Sequence, residues 1–120
     1  MRCRVYVVNV WRPLKTVTRD PLAVCDWKSV DPARDWMAHR FNYSHGWNEL
    51  GAVKHHKDHQ WHYLSHQTPS EPLVFIQFDS GLAEAGGMTT AHSAFVDPKY
   101  ADGAARESIE IKMFVFVDGE

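Results

Sequence analysis

Residues Ser108 to Val117 alternate without interruption. Ile109, Ile111, Met113, Val115 and Val117 fall on one face, and Glu110, Lys112, Phe114 and Phe116 on the other. A period of two carried by β-branched and aromatic side chains is the pattern of a strand; a helix would scatter these residues around its axis. A strand needs neighbours on its edges, so the rest of the chain must supply them. Arg4 to Trp11 is a second run of this kind, ending at Arg12-Pro13. Leu22–Cys25, His59–Leu64, Leu73–Phe78 and His92–Val96 are shorter candidates. Thr68-Pro69-Ser70-Glu71-Pro72 reads as a turn, Ser80 to Thr90 as a Gly/Ala-rich connection, and Asp97-Pro98 as a strand end. The one helical signal is Asp31-Pro32, where proline at the first position can open a short helix. Between Trp27 and Asp58 the pattern weakens, with loops expected at His45-Gly46 and Leu50-Gly51.

About six strands and little helix define the all-β class and favour a jelly-roll-like β-sandwich. The 120 residues form a single domain, expected to span 1–120. A chain of this length buries one core with modest margin. The formal net charge of −2 argues against nucleic acid or an anionic membrane as partner. No apolar run is long enough for a membrane-spanning helix. Met1 to Lys15 has neither a long apolar stretch nor a small-residue cleavage site, so a cytoplasmic protein is expected. Cys3 and Cys25 lack metal or redox spacing and read as reduced thiols. An open sheet exposes strand edges, and pairing with a second copy is one remedy, so a homodimer is expected. The 5 Trp and 8 His suit a pocket for a small, hydrophobic, oxygen-bearing molecule.

Several motifs narrow this further. Asn9-Val10-Trp11-Arg12-Pro13-Leu14-Lys15 is followed by Asp20-Pro21-Leu22-Ala23-Val24-Cys25-Asp26. Downstream come Trp61-His62-Tyr63-Leu64-Ser65, Gln67-Thr68-Pro69 with Glu71, Phe78-Asp79-Ser80, His92-Ser93-Ala94-Phe95 and Arg106-Glu107-Ser108-Ile109-Glu110. On these segments the chain resembles the fungal asaB-type hydroxylase/desaturase family, iron(II)/2-oxoglutarate oxygenases of secondary metabolism. The resemblance implies a double-stranded β-helix, or jelly roll, of which this chain holds the C-terminal half. Oxygenases of this class hold iron with two His and one carboxylate. By resemblance His92 matches the distal His ligand. Arg106, with Ser108 beside it, matches the grip on the 2-oxoglutarate carboxylate, a contact that a guanidinium makes bidentately. The family's His-x-Asp pair precedes the opening run, on strands this chain does not have, so a truncated jelly roll is expected. His56-Lys57-Asp58 is the literal His-x-Asp match. Only two expected strands separate it from His92, where a site of this kind needs about four.

The expectation is therefore a small natural-product enzyme descended from an iron oxygenase and redox-inactive. It would act without a cofactor as a cyclase, pericyclase or isomerase on a hydrophobic terpenoid- or polyketide-like substrate. His62, Arg106 and His92 are the expected catalytic residues. His62 stands out in the cluster His55, His56, His59, His62 and His66 because it replaces an aromatic residue of the family pattern. Trp61, Tyr63, Trp36, Trp47 and Ser108 are the expected substrate contacts, with Trp36 and Trp47 as lid or wall. The alternative is an iron(II)/2-oxoglutarate-dependent hydroxylase/desaturase, with His92, His56 and Asp58 as ligands, or a non-catalytic partner subunit of one.

Overall fold

A computed structural model describes residues 3–85 and 89–118 of the chain. Eight strands follow in the order β1 (Arg4–Pro13), β2 (Leu22–Cys25), β3 (Trp36–Tyr43), β4 (Gly46–Val53), β5 (Trp61–Tyr63), β6 (Leu73–Asp79), β7 (His92–Ala94) and β8 (Ser108–Val117). Among the described residues one short α-helix, α1 (Pro32–Asp35), precedes β3, and 3-10 turns lie at Trp27–Ser29, Ser80–Ala85 and Pro98–Tyr100. All pairings are antiparallel, and the strands form three sheets, β6-β1-β8, β5-β2-β7 and the hairpin β3-β4. The all-β, jelly-roll-like expectation holds.

β1 is the spine. It pairs with β8 from Arg4↔Val117 to Pro13↔Ser108 and with β6 from Tyr6↔Asp79 to Trp11↔Leu73. Its inner face carries Asn9 and Trp11, level with Phe75 and Leu73 of β6. Across from them lie Leu22 and Val24 of β2, and with Val17 these residues make the core. Burying each large apolar side chain contributes about 1.5–3 kcal/mol, so the core is concentrated at the Pro13 end of β1. A bulge in β6 leaves Gln77 unpaired between Phe78 (opposite Val7) and Ile76 (opposite Val8). Bulges re-aim side chains, and Gln77 is one that reaches the cleft described below.

Three expectations need correction. The weakly patterned middle contains a regular hairpin, running from Trp36↔Val53 to Tyr43↔Gly46 around a Ser44-His45 turn. Leu50-Gly51, expected as a loop, lies inside β4. Most hairpin residues are exposed on both faces. The apolar residues of the hairpin, such as Trp36, Met37 and Leu50, follow no period of two, so the sequence carries no strand signal there. His59 to Leu64 shortens to Trp61–Tyr63, with His59 drawn away into a buried hydrogen-bond contact between its Nε2 and Asp35 at 2.8 Å. His92 to Val96 shortens to His92–Ala94.

Local signals fared better around α1. Asp31 caps it by accepting from the Ala33 amide at 3.0 Å, with Pro32 in the first turn. Cys3 and Cys25 are both free. No helix among the described residues is long and apolar enough to cross a membrane.

Candidate functional site

A cleft of about 1090 Å³ opens between the β3–β4 hairpin and the inner edges of the two sheets. Trp36, Met37 and Leu50 of the hairpin form one wall, and Trp61 and Phe78 line it from β5 and β6. Polar groups enter from His92, Gln77, Glu49 and Lys112. An open, aromatic-walled cleft with polar groups at hand makes a candidate small-molecule site.

The Trp36 wall depends on Gly51. A Cβ at position 51 would lie 3.0 and 3.1 Å from two carbons of the Trp36 ring, so glycine lets the indole lie flat on β4. The hairpin is anchored at its base by a cluster that the sequence did not reveal. Asp35 is 2% exposed and accepts from both Nε and Nη2 of Arg34, at 2.6 and 2.8 Å. It also contacts His59 Nε2 at 2.8 Å and accepts from the Asp31 amide at 2.9 Å. Its backbone carbonyl accepts from the Lys54 amide, immediately after β4. The Arg34 guanidinium, foremost, holds the Asp35 carboxyl well below the usual carboxylate range, against the opposing effect of burial. Charge pairing of this kind fixes α1, the end of the hairpin and the loop into β5 relative to one another.

His92 lines the cleft. Its Nδ1 lies 2.9 Å from the Thr90 carbonyl, and its ring packs against Phe75 with centroids 4.6 Å apart. A protonated Nδ1 donating to that carbonyl fixes the tautomer and leaves Nε2 as the acceptor toward the cleft. Phe75 is level with Asn9, and Asn9 with Lys112, so one row of the sheet runs from under His92 to the Lys112 side chain. Asn9 is fully buried; its Nδ2 donates to Glu110 at 3.4 Å, and its Oδ1 has no hydrogen-bond partner. An orphaned buried carbonyl costs stability, so its retention calls for a reason beyond folding.

The other expected residues are distributed as follows. Trp36 and Trp61 line the cleft. His62 and His92 both pair with Val24, so they share one face of their sheet on either side of it. Two strand spacings separate them, roughly 10 Å. His62 is exposed and outside the cleft lining. Tyr63 stacks edge-on against Phe95 at 4.9 Å. Trp47 sits near the hairpin tip under Arg40, 4.3 Å from its guanidinium carbon. Ser108 is exposed opposite Pro13. Arg106 lies over Trp11 at 5.4 Å and donates from Nη1 to the Asp20 carbonyl at 2.6 Å. Asp20 has a positive φ of 55°, which helps present that carbonyl. A guanidinium carries five donors, so this tie leaves others for an anionic group.

His56 and Asp58 turn on each other in the loop before β5. The Asp58 amide donates to His56 Nδ1 at 3.3 Å, and the Asp58 carboxylate lies 3.4 Å from the same nitrogen. Among the described residues no three His, Cys, Asp or Glu side chains come together in a metal-holding group, so His92, His56 and Asp58 are not assembled as a ligand set. His92 alone has the carbonyl tie typical of a ligating imidazole. The described residues thus do not fit a two-His-one-carboxylate iron centre, and no step is derived through one.

Asp79, another motif residue, is structural. Arg4 grips it with Nε at 2.8 Å and Nη2 at 2.6 Å, and the Gly81 amide donates to it at 2.9 Å. Chiefly through Arg4, its carboxyl is held below the ordinary range.

Antiparallel sheets around an aromatic cleft define the jelly-roll class found in iron/2-oxoglutarate oxygenases. The structure of the iron and alpha-ketoglutarate-dependent endoperoxidase NvfI superposes with a TM-score of 0.80 at 27% identity, over 98% of this chain and 43% of that one. A family model described as Oxidoreductase/YMDC permease-like domain matches residues 1–116, and the chain belongs to that family. It is 37% identical over 124 aligned positions to hydroxylase/desaturase efuI of Hormonema carpetanum, covering 92% of this chain and 40% of the relative. It is 34% identical over 134 aligned positions to hydroxylase/desaturase asaB of Aspergillus flavus, covering 100% of this chain and 59% of the relative. The chain therefore spans about half the length of the curated relatives it matches. It is related to the iron/2-oxoglutarate oxygenases of fungal secondary metabolism.

Proposed function

We propose that the chain is a cytoplasmic enzyme of fungal secondary metabolism that rearranges a hydrophobic terpenoid- or polyketide-like substrate without a cofactor. The reaction class is a cyclisation, a pericyclic step or an isomerisation. The observation that carries this reading is His92: a tautomer-fixed imidazole at an aromatic-walled cleft that Lys112 also lines. Trp36, Trp61 and Phe78 would press the substrate into a reactive conformer, a gain in proximity and orientation. Lys112 would donate a hydrogen bond to a substrate carbonyl as charge develops on it. His92 Nε2 would take a proton from one carbon or oxygen and return it elsewhere on the same molecule, which leaves the substrate's composition unchanged. General acid–base transfer of this kind contributes about 10²–10⁴-fold. His62 and Arg106 lie outside the cleft lining, so they take a secondary place in this mechanism.

A second reading keeps the oxidative chemistry of the relatives. It is favoured by their printed names and by the carbonyl tie of His92. It requires a His and a carboxylate beyond those the described residues assemble. Product mass separates the two. The precursor that accumulates in a gene-deletion strain is given to the purified chain. An isobaric product supports rearrangement. A product with added oxygen or two fewer hydrogens refutes it.

A further inference from the structure

β8 is an edge strand of its sheet, and all ten of its residues are exposed. Its free edge has a definite hydrogen-bonding phase. The Leu14 amide donates to the Glu107 carbonyl at 2.8 Å, in register with the β1–β8 ladder. Hydrogen-bonded pairs alternate along an antiparallel ladder. Ile109, Ile111 and Met113 therefore bond inward to β1. Ser108, Glu110, Lys112, Phe114 and Phe116 direct their N–H and C=O groups outward. Pro13, which has no N–H, sits opposite Ser108, as this phase requires.

The described fold also leaves more surface open than a compact domain of its mass. Its accessible surface is 8598 Å², where a folded monomer of this mass has about 6600 Å². Its radius of gyration is 16.3 Å, against about 13.5 Å for a compact domain of this length. The excess of roughly 2000 Å² exceeds the ~800 Å² per partner of a standard interface and reaches the range of obligate dimers. Phe114 and Phe116 are each 68% exposed, with Ile109 and Ile111 exposed on the opposite face of the strand.

Charge selects the occupant and the register. In a two-fold antiparallel pairing, outward-bonding residues must face outward-bonding residues. Centring the axis on Ile111 places Glu110 opposite Lys112 of the partner subunit, and Lys112 opposite Glu110 of the partner subunit. Centring it on Glu110 or on Lys112 sets like charges opposite each other. Centring it on Met113 faces both charges against phenylalanines. Opposite charges on facing positions stabilise a strand pair and like charges destabilise it. We infer that β8 pairs antiparallel with β8 of a second copy, centred on Ile111, joining two three-stranded sheets into one of six strands. Lys112 lines the cleft, so each cleft acquires Glu110 of the partner subunit beside Lys112 and is complete only in the dimer.

Sedimentation velocity on the full chain, from low to high micromolar concentration, tests this. The native chain sediments as a dimer. Lys112→Glu and Glu110→Lys each place two like-charge pairs at the interface and raise the dimer Kd about tenfold or more. The double variant restores the native Kd to within about threefold. Mixing the two single variants gives a heterodimer in preference to either homodimer, a result independent of how well each variant self-associates. A native chain that stays monomeric overturns the inference. So does a dimer indifferent to single charge reversal, or one that neither the double variant nor mixing rescues.

Discussion

Asn9→Val separates a residue kept for folding from one kept for the cleft. Asn9 is fully buried, with Oδ1 unpartnered and Nδ2 reaching Glu110 at the long distance of 3.4 Å. An unsatisfied buried carbonyl costs about 1–3 kcal/mol. A hydrogen bond stretched this far returns less than about 1 kcal/mol. Valine is close in volume and suits a strand. The balance is a net stabilisation of about 1 kcal/mol, or about 4 °C in Tm for a domain of this size. Urea unfolding reads it as a higher midpoint with an unchanged slope. At the same time Glu110, two residues from the cleft-lining Lys112, loses its inner partner, and turnover of the precursor falls several-fold. Greater stability with weaker activity is the trade expected of a strained functional position. A variant destabilised by 1 kcal/mol or more, with turnover intact, would show that Asn9 is a folding residue and refute the reasoning.

His92→Phe keeps the contact with Phe75 but removes both ring nitrogens; turnover drops about 10²–10⁴-fold, while circular dichroism and Tm stay close to native. Gly51→Ala drives a Cβ against the Trp36 ring, shifts the tryptophan near-ultraviolet signal and costs about 1–3 kcal/mol as an overpacked contact, measured by urea unfolding. Asp35 and Asp79 both have carboxyls depressed in the folded state by Arg34 and Arg4. Such groups contribute stability that is complete above the unfolded pKa, about 4, and is lost as pH falls through the folded value. Tm is accordingly level near neutral pH and declines below about pH 4, and Asp35→Asn flattens part of that decline. A Tm that rises on acidification contradicts the assignment.

The strands of the two sheets were legible as alternating or β-branched apolar runs, even in β8, where every residue is exposed. Ser108–Val117 and Leu22–Cys25 match the observed bounds, and Arg4–Trp11 falls short by two residues at Pro13. The β3–β4 hairpin was not legible. Trp36, Met37 and Leu50 are apolar without period, because they face a cleft and solvent rather than a core. Of the residues expected at the site from motif and residue type, His92, Trp36 and Trp61 line one cleft. Gln77 and Lys112 were not assigned to it. A bulge places the one, and the register of an edge strand the other. The Asp35–His59 pair had no signal beyond membership of a histidine-rich stretch, since its 24-residue separation follows neither helix nor strand spacing. Asn9 stood in the opening motif, yet only its burial reveals that its carbonyl goes unmatched.

The central claim is that the cleft rearranges its substrate by shape and proton transfer alone. Precursor turnover by the purified chain, compared in aerobic buffer and under nitrogen with excess chelator, tests it most directly. The account predicts equal rates and one isobaric product in both. Turnover abolished by the chelator and restored by iron(II) with 2-oxoglutarate would contradict it and return the protein to the oxidative chemistry of its relatives.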